Sequence, residues 1–532
     1  MIAFMRRHKV LSSLVFVFVF VVVFLAAFLG WRMRGPYRSY RLDFVLPAVG
    51  DLVEPGVLEV GVAKRDITPD LLEYDEWTDI DQNERYEPEK GDTYLDINGN
   101  GRFDAVWMAG FNEQHPAKDV HDPLWARAIA LRNNGVTVAM VTIDSIGMMH
   151  EKFLAVREAL DPKLDLDHVM FSCTHNHEAP DTMGLWSYKP FNPFNPYFGH
   201  DYVALVQAAC KEAVEEAVAN LAPSDMVCAE VEVDPEHYVR DTRQPICHDR
   251  KVCCMQFLKH GTDETVATVV SWGNHAEALG SGNSLITSDF AHYLRQGVES
   301  GVSPPNGAEG LGGMCLYFQG MVGGLMTPLH LKVPHRDGEY IVEGDTFQKA
   351  EALGENVALR VLEALRGETA WRQEKPKVAV AAKSIFVPLE GLFKWGIMLG
   401  LIHPGYFNGK ARSEIDVIRI GNVEVLTCPG ELYPEIAEGG IETPEGADYP
   451  IAPVEEPPLR EVMAGKMNLV VGLANDELGY IIPKSQWDKE SPYAYGRTDR
   501  PQYGEENSGG PEVAPTYHRE AMALLARMHE AF

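Results

Sequence analysis

The order of apolar and polar positions divides the chain into a long apolar run, a polar connection and a mixed body. The run is "VLSSLVFVFVFVVVFLAAFL", Val10 to Leu29, interrupted only by Ser12 and Ser13. About 20 such residues make a helix long enough to cross a bilayer. Arg6, Arg7, His8 and Lys9 precede it. An uncleaved signal anchor over residues 1–31 is predicted; a cleaved signal peptide competes, but its apolar core would be shorter, and no small-x-small site precedes Gly30. Residues 32–55, arginine- and tyrosine-rich and then "LPAVGDLVEPG", read as a linker.

From "LEVGVAKRDITPD" onward, two periodicities mix. "LWARAIALRNNGVTVAMVTID" is two apolar runs joined by Asn134-Gly135, which predicts a hairpin. "DYVALVQAACKEAVEEAVANLA" and "DTFQKAEALGENVALRVLEAL" carry helical spacing. "VCCMQFLKHGTDETVATVVSWGNHAE" reads as a strand pair, and "EIDVIRIGNVEVLTCPGE" as a hairpin turning at Gly421-Asn422. The tail "DRPQYGEENSGGPEVAPT" is loop-like before a short terminal helix. The expected fold class is α/β, close to α+β, over residues 56–532: mixed β-sheets flanked by helices, without a regular βαβ repeat, preceded by one transmembrane helix.

Charge narrows the partners. With 47 basic and 77 acidic residues the net charge is −30, which repels nucleic acid at long range and argues against such a partner. The body is expected outside the cytoplasm, periplasmic or extracellular, although Arg32, Arg34, Arg38 and Arg41 blur the charge asymmetry that sets orientation. Eight cysteines are spaced unlike a small disulfide scaffold and read mostly as buried thiols. "CHDRKVCC", Cys247 to Cys254, is the one place where a bridge or a zinc cluster would fit.

Candidate chemistry sits just past strand ends. "VMFSCTHNHEAPDTMG" opens as a buried strand and breaks into a loop holding His175, His177, Glu178 and Asp181. His275 ends one predicted strand and Glu431 follows another. Neutral imidazoles with a carboxylate are ordinary zinc ligands, yet each motif alone also reads as a turn or a satisfied histidine. Separately, "DINGNGRFD" places Asp96, Asn98, Asn100 and Asp104 at positions 1, 3, 5 and 9 of a calcium loop, with Trp107 where a bidentate glutamate normally stands. An Asn-Gly turn in an acidic loop is the other reading.

Six segments in order carry a resemblance: "VGVAKRDITPD", "DVHDPLWARAIAL", "CTHNHEAPDTMG", "VVSWGNHAEALGSGNSLITSDF", "CPGELYPEI" and "GLANDELGYIIPKSQW". Together they resemble the N-terminal catalytic domain of the neutral/alkaline, non-lysosomal ceramidases, over about residues 55–532. The resemblance implies a zinc-dependent amidohydrolase cleaving a small-molecule or lipid amide. It implies zinc ligation by His175, His275, Glu431 and Tyr480, with His177 beside the reacting water as acid–base group. Arg240, with Arg243 competing, and Tyr503 are implied as groups near the reacting carbonyl. Asp289 would orient a histidine or cap a helix. Three departures stand out. Met326 or Thr327 occupies the position of a family serine, Glu178 replaces a serine in the histidine loop, and the immunoglobulin-like domain that follows in that family has no counterpart here. They leave room for a second reading, a relative that binds a ligand or partner without catalysis, and for a zinc hydrolase of another ester or amide.

Overall fold

The body strands are apolar at nearly every position because most are buried on both faces. The structure is a computed structural model describing residues 9–32, 36–48, 53–190, 199–336, 338, 344–399 and 406–532. Helix α1 (Lys9–Arg32) is followed by β1 (Asp43–Leu46) and β2 (Leu58–Asp66). The hairpin β3 (Trp125–Asn133) and β4 (Val136–Ile143) leads through α2 (His150–Ala159) to β5 (His168–Cys173). Helix α3 (His200–Ala219) precedes β6 (Ala222–Glu232), β7 (Lys251–Lys259) and β8 (Thr265–Trp272), and α4 (Phe290–Ser300) leads to β9 (Met314–Gln319). After α5 (Phe347–Arg366) come β10 (Val378–Pro388), β11 (Lys410–Ile420) and β12 (Val423–Thr427). The two-residue β13 (Glu431–Leu432), β14 (Met467–Val471), the two-residue β15 (Tyr480–Ile481) and α6 (Val513–Ala531) complete the principal elements.

The larger sheet runs β9-β8-β7-β6-β2-β3-β4-β5, and the smaller one β1-β10-β11-β12-β14. Most pairs are antiparallel; β4 with β5, β8 with β9, and β12 with β14 are parallel. Alternation assigns each side chain to a layer. In β3, Ala126, Ala128 and Ala130 face the core beneath the helices, while Ile129 and Leu131 face the second sheet. In β10, Val378 and Val380 meet them from the other side, and Ala379, Ala381 and Ile385 turn outward to Tyr517, Leu524 and Leu525 of α6. The result is helices, sheet, sheet and helix in four layers. It bears out the mixed α/β reading, and the Asn134-Gly135 and Gly421 turns adopt the positive φ that such hairpins need (43°, 78° and 59°).

Three expectations change. Residues 43–46, within the predicted linker, pair with β10 and become the edge strand β1; residues 33–35 and 49–52 of that stretch lie outside the described residues. All eight cysteines are free. Cys253 and Cys254 are neighbours on β7, so strand geometry sends them to opposite faces and into different cores. Helix α1 contains the long apolar run, and its side chains from residue 13 to residue 28 are exposed. Among the described residues, no helix is long and apolar enough to cross a membrane. Residues 1–8, with Arg6, Arg7 and His8, lie outside the described residues.

Candidate metal centre

Four loops leaving the C-terminal ends of strands meet at one point. His175 and His177 follow β5, and His275 follows β8. Glu431 and Tyr480 are direct partners in the parallel ladder of β13 and β15, so their side chains share a face. The two histidine loops are tied together where the His177 N–H donates to the Ala276 carbonyl at 2.9 Å.

The ring tautomers follow from the backbone carbonyls behind the rings. His175 Nδ1 donates to the Ile146 carbonyl at 2.8 Å, and His275 Nδ1 donates to the Met326 carbonyl at 2.7 Å. In its neutral form each ring therefore presents a bare Nε2 inward. Both point at Glu431 Oε2, at 3.4 Å and 3.2 Å, and that buried oxygen has no hydrogen-bond donor among the described residues. Three lone pairs facing one another with no proton between them are repulsive until a cation or a proton separates them. Burial would lower the His175 pKa, but the Glu431 charge beside it raises it above the usual imidazole value. Burial likewise would raise Glu431, and His175 and His275 hold it far below the carboxylate range. This donor set fits a divalent ion such as zinc. Tyr480, 4 % exposed, lines the same cavity, and burial with the Glu431 charge raises its phenol pKa strongly.

His177 is set beside this group. Its Nε2 lies 3.3 Å from His175 Nε2, and its Nδ1 lies 3.3 Å from Glu277 Oε2. Burial, then the neighbouring imidazoles His175 and His275, hold its pKa well below the usual value, so it is a neutral base. Gly110, at φ 109°, makes room for it: a Cβ there would sit 2.5 Å from His177 Cγ. Phe111 packs edge-on against the imidazole at 5.1 Å. The cavity, about 230 Å³, is also lined by Met183, Leu185, Trp186, Tyr480, Tyr503 and Asn507.

With this geometry in place, likeness to solved structures becomes informative. Neutral ceramidase from Pseudomonas aeruginosa matches with a TM-score of 0.61 over 89% of this chain and 75% of that one, at 17% identity. A ceramidase complexed with C2 matches at 0.60 and 16% identity, with the same coverage. No protein-family model and no curated protein sequence matches. The chain has the neutral ceramidase fold.

Within the neutral ceramidase fold, the remaining expected residues fall as follows. Tyr503 lines the cavity, its ring 5.9 Å from that of Tyr480 and its hydroxyl accepting from Asn507 Nδ2 at 2.6 Å. Arg240 does not reach the cavity: it is exposed, on a two-residue strand paired with Met326 and Thr327. Arg243 is buried but committed elsewhere, bidentate to Glu505 at 2.6 and 2.9 Å and donating to the Tyr503 and Gln486 carbonyls. It holds the backbone of Tyr503, not a substrate. Asp289, at φ 54°, accepts from the Phe290 N–H and caps α4, which realises the capping alternative. Glu178 turns away to Asn283 Nδ2 at 2.6 Å and does not line the cavity. Met326 contributes its carbonyl to His275, while Thr327 hydrogen-bonds the Glu277 carboxyl.

Two further groups of ligand-type side chains exist among the described residues. His168, Glu414 and Asp416 are buried between the sheets, but Arg157 already neutralises Glu414 at 2.6 Å. Of Asp79, Asp81 and Asp92, the first is half-buried, the second exposed and the third buried. The calcium-type loop is closed on itself. Asp96 accepts from the Gly99, Asn100 and Gly101 N–H groups, and the Asn98 and Asn100 amides donate to Asp104 at 2.7 and 2.5 Å. These contacts form an Asn-Gly turn that draws together Asp96, Asn98, Asn100 and Asp104, the residues of the calcium reading.

Sequence reasoning missed two buried carboxylates. Glu277 stands two residues after His275, a spacing that in extended chain puts both on one side and so was a readable signal. Glu477, in "NDELGY", lines the cavity beside Glu431. A polar loop of that composition suggests exposure, and nothing local marks the burial.

Proposed function

We propose that this chain is a zinc-dependent amidohydrolase that cleaves an N-acyl amide. The convergence of His175 Nε2, His275 Nε2 and Glu431 Oε2 without an intervening donor carries this reading. When bound, zinc supplies a Lewis acid that makes hydroxide available near neutral pH and polarises a carbonyl. His177 accepts the proton of the attacking water at Nε2 and returns it to the leaving amine. The Glu277 carboxylate lies beside the other ring nitrogen, Nδ1, at 3.3 Å. Tyr480 on the cavity wall is the fourth ligand of the proposed ion, and the Tyr503 phenol is the hydroxyl donor that takes the oxyanion role neither Arg240 nor Arg243 reaches. Phe111 and Trp186 give the cavity wall an apolar stretch.

Because fold alone does not fix function, the substrate reading rests on the site. A small-molecule or lipid amide is proposed, with the body outside the cytoplasm and α1 in contact with a membrane. Exposed Phe16, Phe18, Phe20 and Phe24 along α1 support that contact. The alternative, a binding protein without catalysis, is favoured by one observation: among the described residues, no arginine lines the cavity.

The test is release of free amine from a panel of N-acyl amides and matched esters by the zinc-loaded full chain. Hydrolysis of at least one amide, abolished in His177→Ala with zinc retained, is expected. Zinc binding without turnover of any member would give the case to the binding reading.

A further inference from the structure

Residues 36–46 follow helix α1 in the chain and lie as a strap along the body, away from the cavity. Two grips hold them. The Leu42 N–H donates to Ser384 Oγ and the Ser384 N–H to the Leu42 carbonyl, both at 2.9 Å, where the ladder of β1 with β10 begins. Arg412, wholly buried, donates to the Tyr37 carbonyl at 2.6 Å, the Pro36 carbonyl at 3.2 Å and the Tyr40 carbonyl at 3.3 Å. A guanidinium out of water needs acceptors, so the strap satisfies the body as much as the body holds the strap.

Tyr40 joins the strap to a buried ion pair. Its hydroxyl accepts from Arg157 Nη1 at 2.6 Å and donates to Glu414 Oε2 at 3.1 Å. Arg157 is itself bidentate to the fully buried Glu414, at 2.6 and 2.7 Å. A hydroxyl bonded to both members of such a pair fixes where the guanidinium lies. The same guanidinium donates through Nη2 to the Val169 carbonyl on β5 at 2.7 Å and to Asn475 Oδ1 at 3.2 Å. Strand β5 delivers His175, and Asn475 stands in the loop from β14 to β15. At φ 61°, Asn475 takes the left-handed conformation that asparagine tolerates. Its N–H donates to the Phe171 carbonyl at 2.8 Å, its Oδ1 accepts the Phe171 N–H at 3.0 Å, and its Nδ2 donates to Asp416 at 2.7 Å. Further along the same loop Glu477 lines the cavity, and at its end Tyr480 is the ladder partner of Glu431.

We propose that Tyr40 is a positioning residue for the site: its hydroxyl sets Arg157, Arg157 sets Asn475, and Asn475 sets the loop that brings Glu477 and Tyr480 to the cavity. A chain whose strap is released then holds this loop less tightly. Coupling over such a distance needs an element with two arrangements. Here they are the strap seated and the strap released, and β1, a four-residue edge strand with no fully buried residue, belongs to the low-stability end of a fold. The proposal takes from the metal reading only what the loop carries, so its first readout needs neither metal nor turnover.

The test compares the full chain with Tyr40→Phe, which removes the hydroxyl and keeps the ring beside His150 at 6.0 Å and Arg412 at 5.6 Å. Tyr37→Phe, whose hydroxyl bonds Glu158, is the control on the same strap. Amide hydrogen exchange is followed in peptides covering residues 473–481, and zinc release from the zinc-loaded chain is timed with a pyridylazo-resorcinol chelator. In Tyr40→Phe, exchange over 473–481 rises about threefold to tenfold, zinc leaves faster by a similar factor, and peptides of α5 keep the wild-type rate. Tyr37→Phe changes none of these. Asn475→Gly, which tolerates the φ of 61° and lacks the side chain, loosens the loop by itself, and Tyr40→Phe on that background adds less than about twofold. If Tyr40→Phe does not fold, Arg157→Lys, which keeps the charge and loses the fork, must give the same local rise. Unchanged exchange over 473–481 overturns the proposal, as does a rise spread evenly along the chain, an equal rise in Tyr37→Phe, or a full added effect on the Asn475→Gly background. A local rise with zinc release unchanged keeps the coupling and removes Tyr480 from the cation.

Discussion

Replacing Arg243 by methionine separates a catalytic arginine from a structural one. Both Arg243 and Glu505 have side chains only 2 % exposed, joined at 2.6 Å. Methionine fills much of the same volume but leaves the Glu505 carboxylate buried without its counter-charge. Breaking such a pair from one side costs about 3–5 kcal/mol, mostly the desolvation of the charge left behind. The loss includes two further hydrogen bonds, to the carbonyls of Tyr503 and Gln486. Removing both charges is different. Arg243→Met/Glu505→Gln keeps an oxygen for the Asp488 N–H that Glu505 now accepts at 2.9 Å. It recovers at least about half of the lost stability. The assay is urea unfolding followed by tryptophan fluorescence, with amide hydrolysis measured where each variant is folded. A substrate-contacting arginine would behave oppositely, costing about 10²–10³ in kcat with a stability change within about 0.5 kcal/mol. That outcome for Arg243→Met would refute the structural assignment.

Arg240→Ala should leave both quantities nearly unchanged, within about 0.5 kcal/mol in urea, because that side chain is exposed away from the cavity. Glu277→Gln should keep zinc and fold normally but lower kcat by about 10–100-fold; unchanged kcat would remove Glu277 from the account. Glu435 gives a pH signature. Burial, and then the charge of Asp241, raise its pKa from 4.5 to about 7. A carboxyl raised on folding stabilises fully below its unfolded pKa and loses that contribution as pH climbs through the folded value. Wild type should therefore lose up to about 3 kcal/mol between pH 4.5 and pH 7 relative to Glu435→Gln, read as the difference between their urea curves.

The sequence made the strands and their turns legible because the Asn134-Gly135 and Gly421-Asn422 signals need only local backbone geometry. It also placed His175, His275 and Glu431 at strand ends, where a rigid sheet delivers side chains to a common point. What it could not show was set by distant contacts. Arg243 pairs with Glu505, 262 positions away, and no local pattern foretells that. Residues 43–46 look like linker because they form a strand only when the edge of β10 is there to pair with. Glu477 is polar in a polar loop, and its burial comes from packing against Gly147.

The central claim is that His175, His275 and Glu431 together hold one divalent cation. Elemental analysis of the purified full chain after extensive gel filtration tests it most directly. One zinc per chain is expected, falling to near zero in a His175→Ala/His275→Ala variant that still unfolds cooperatively. A wild-type chain without metal after zinc loading, or a folded double variant that keeps a full equivalent, would contradict it.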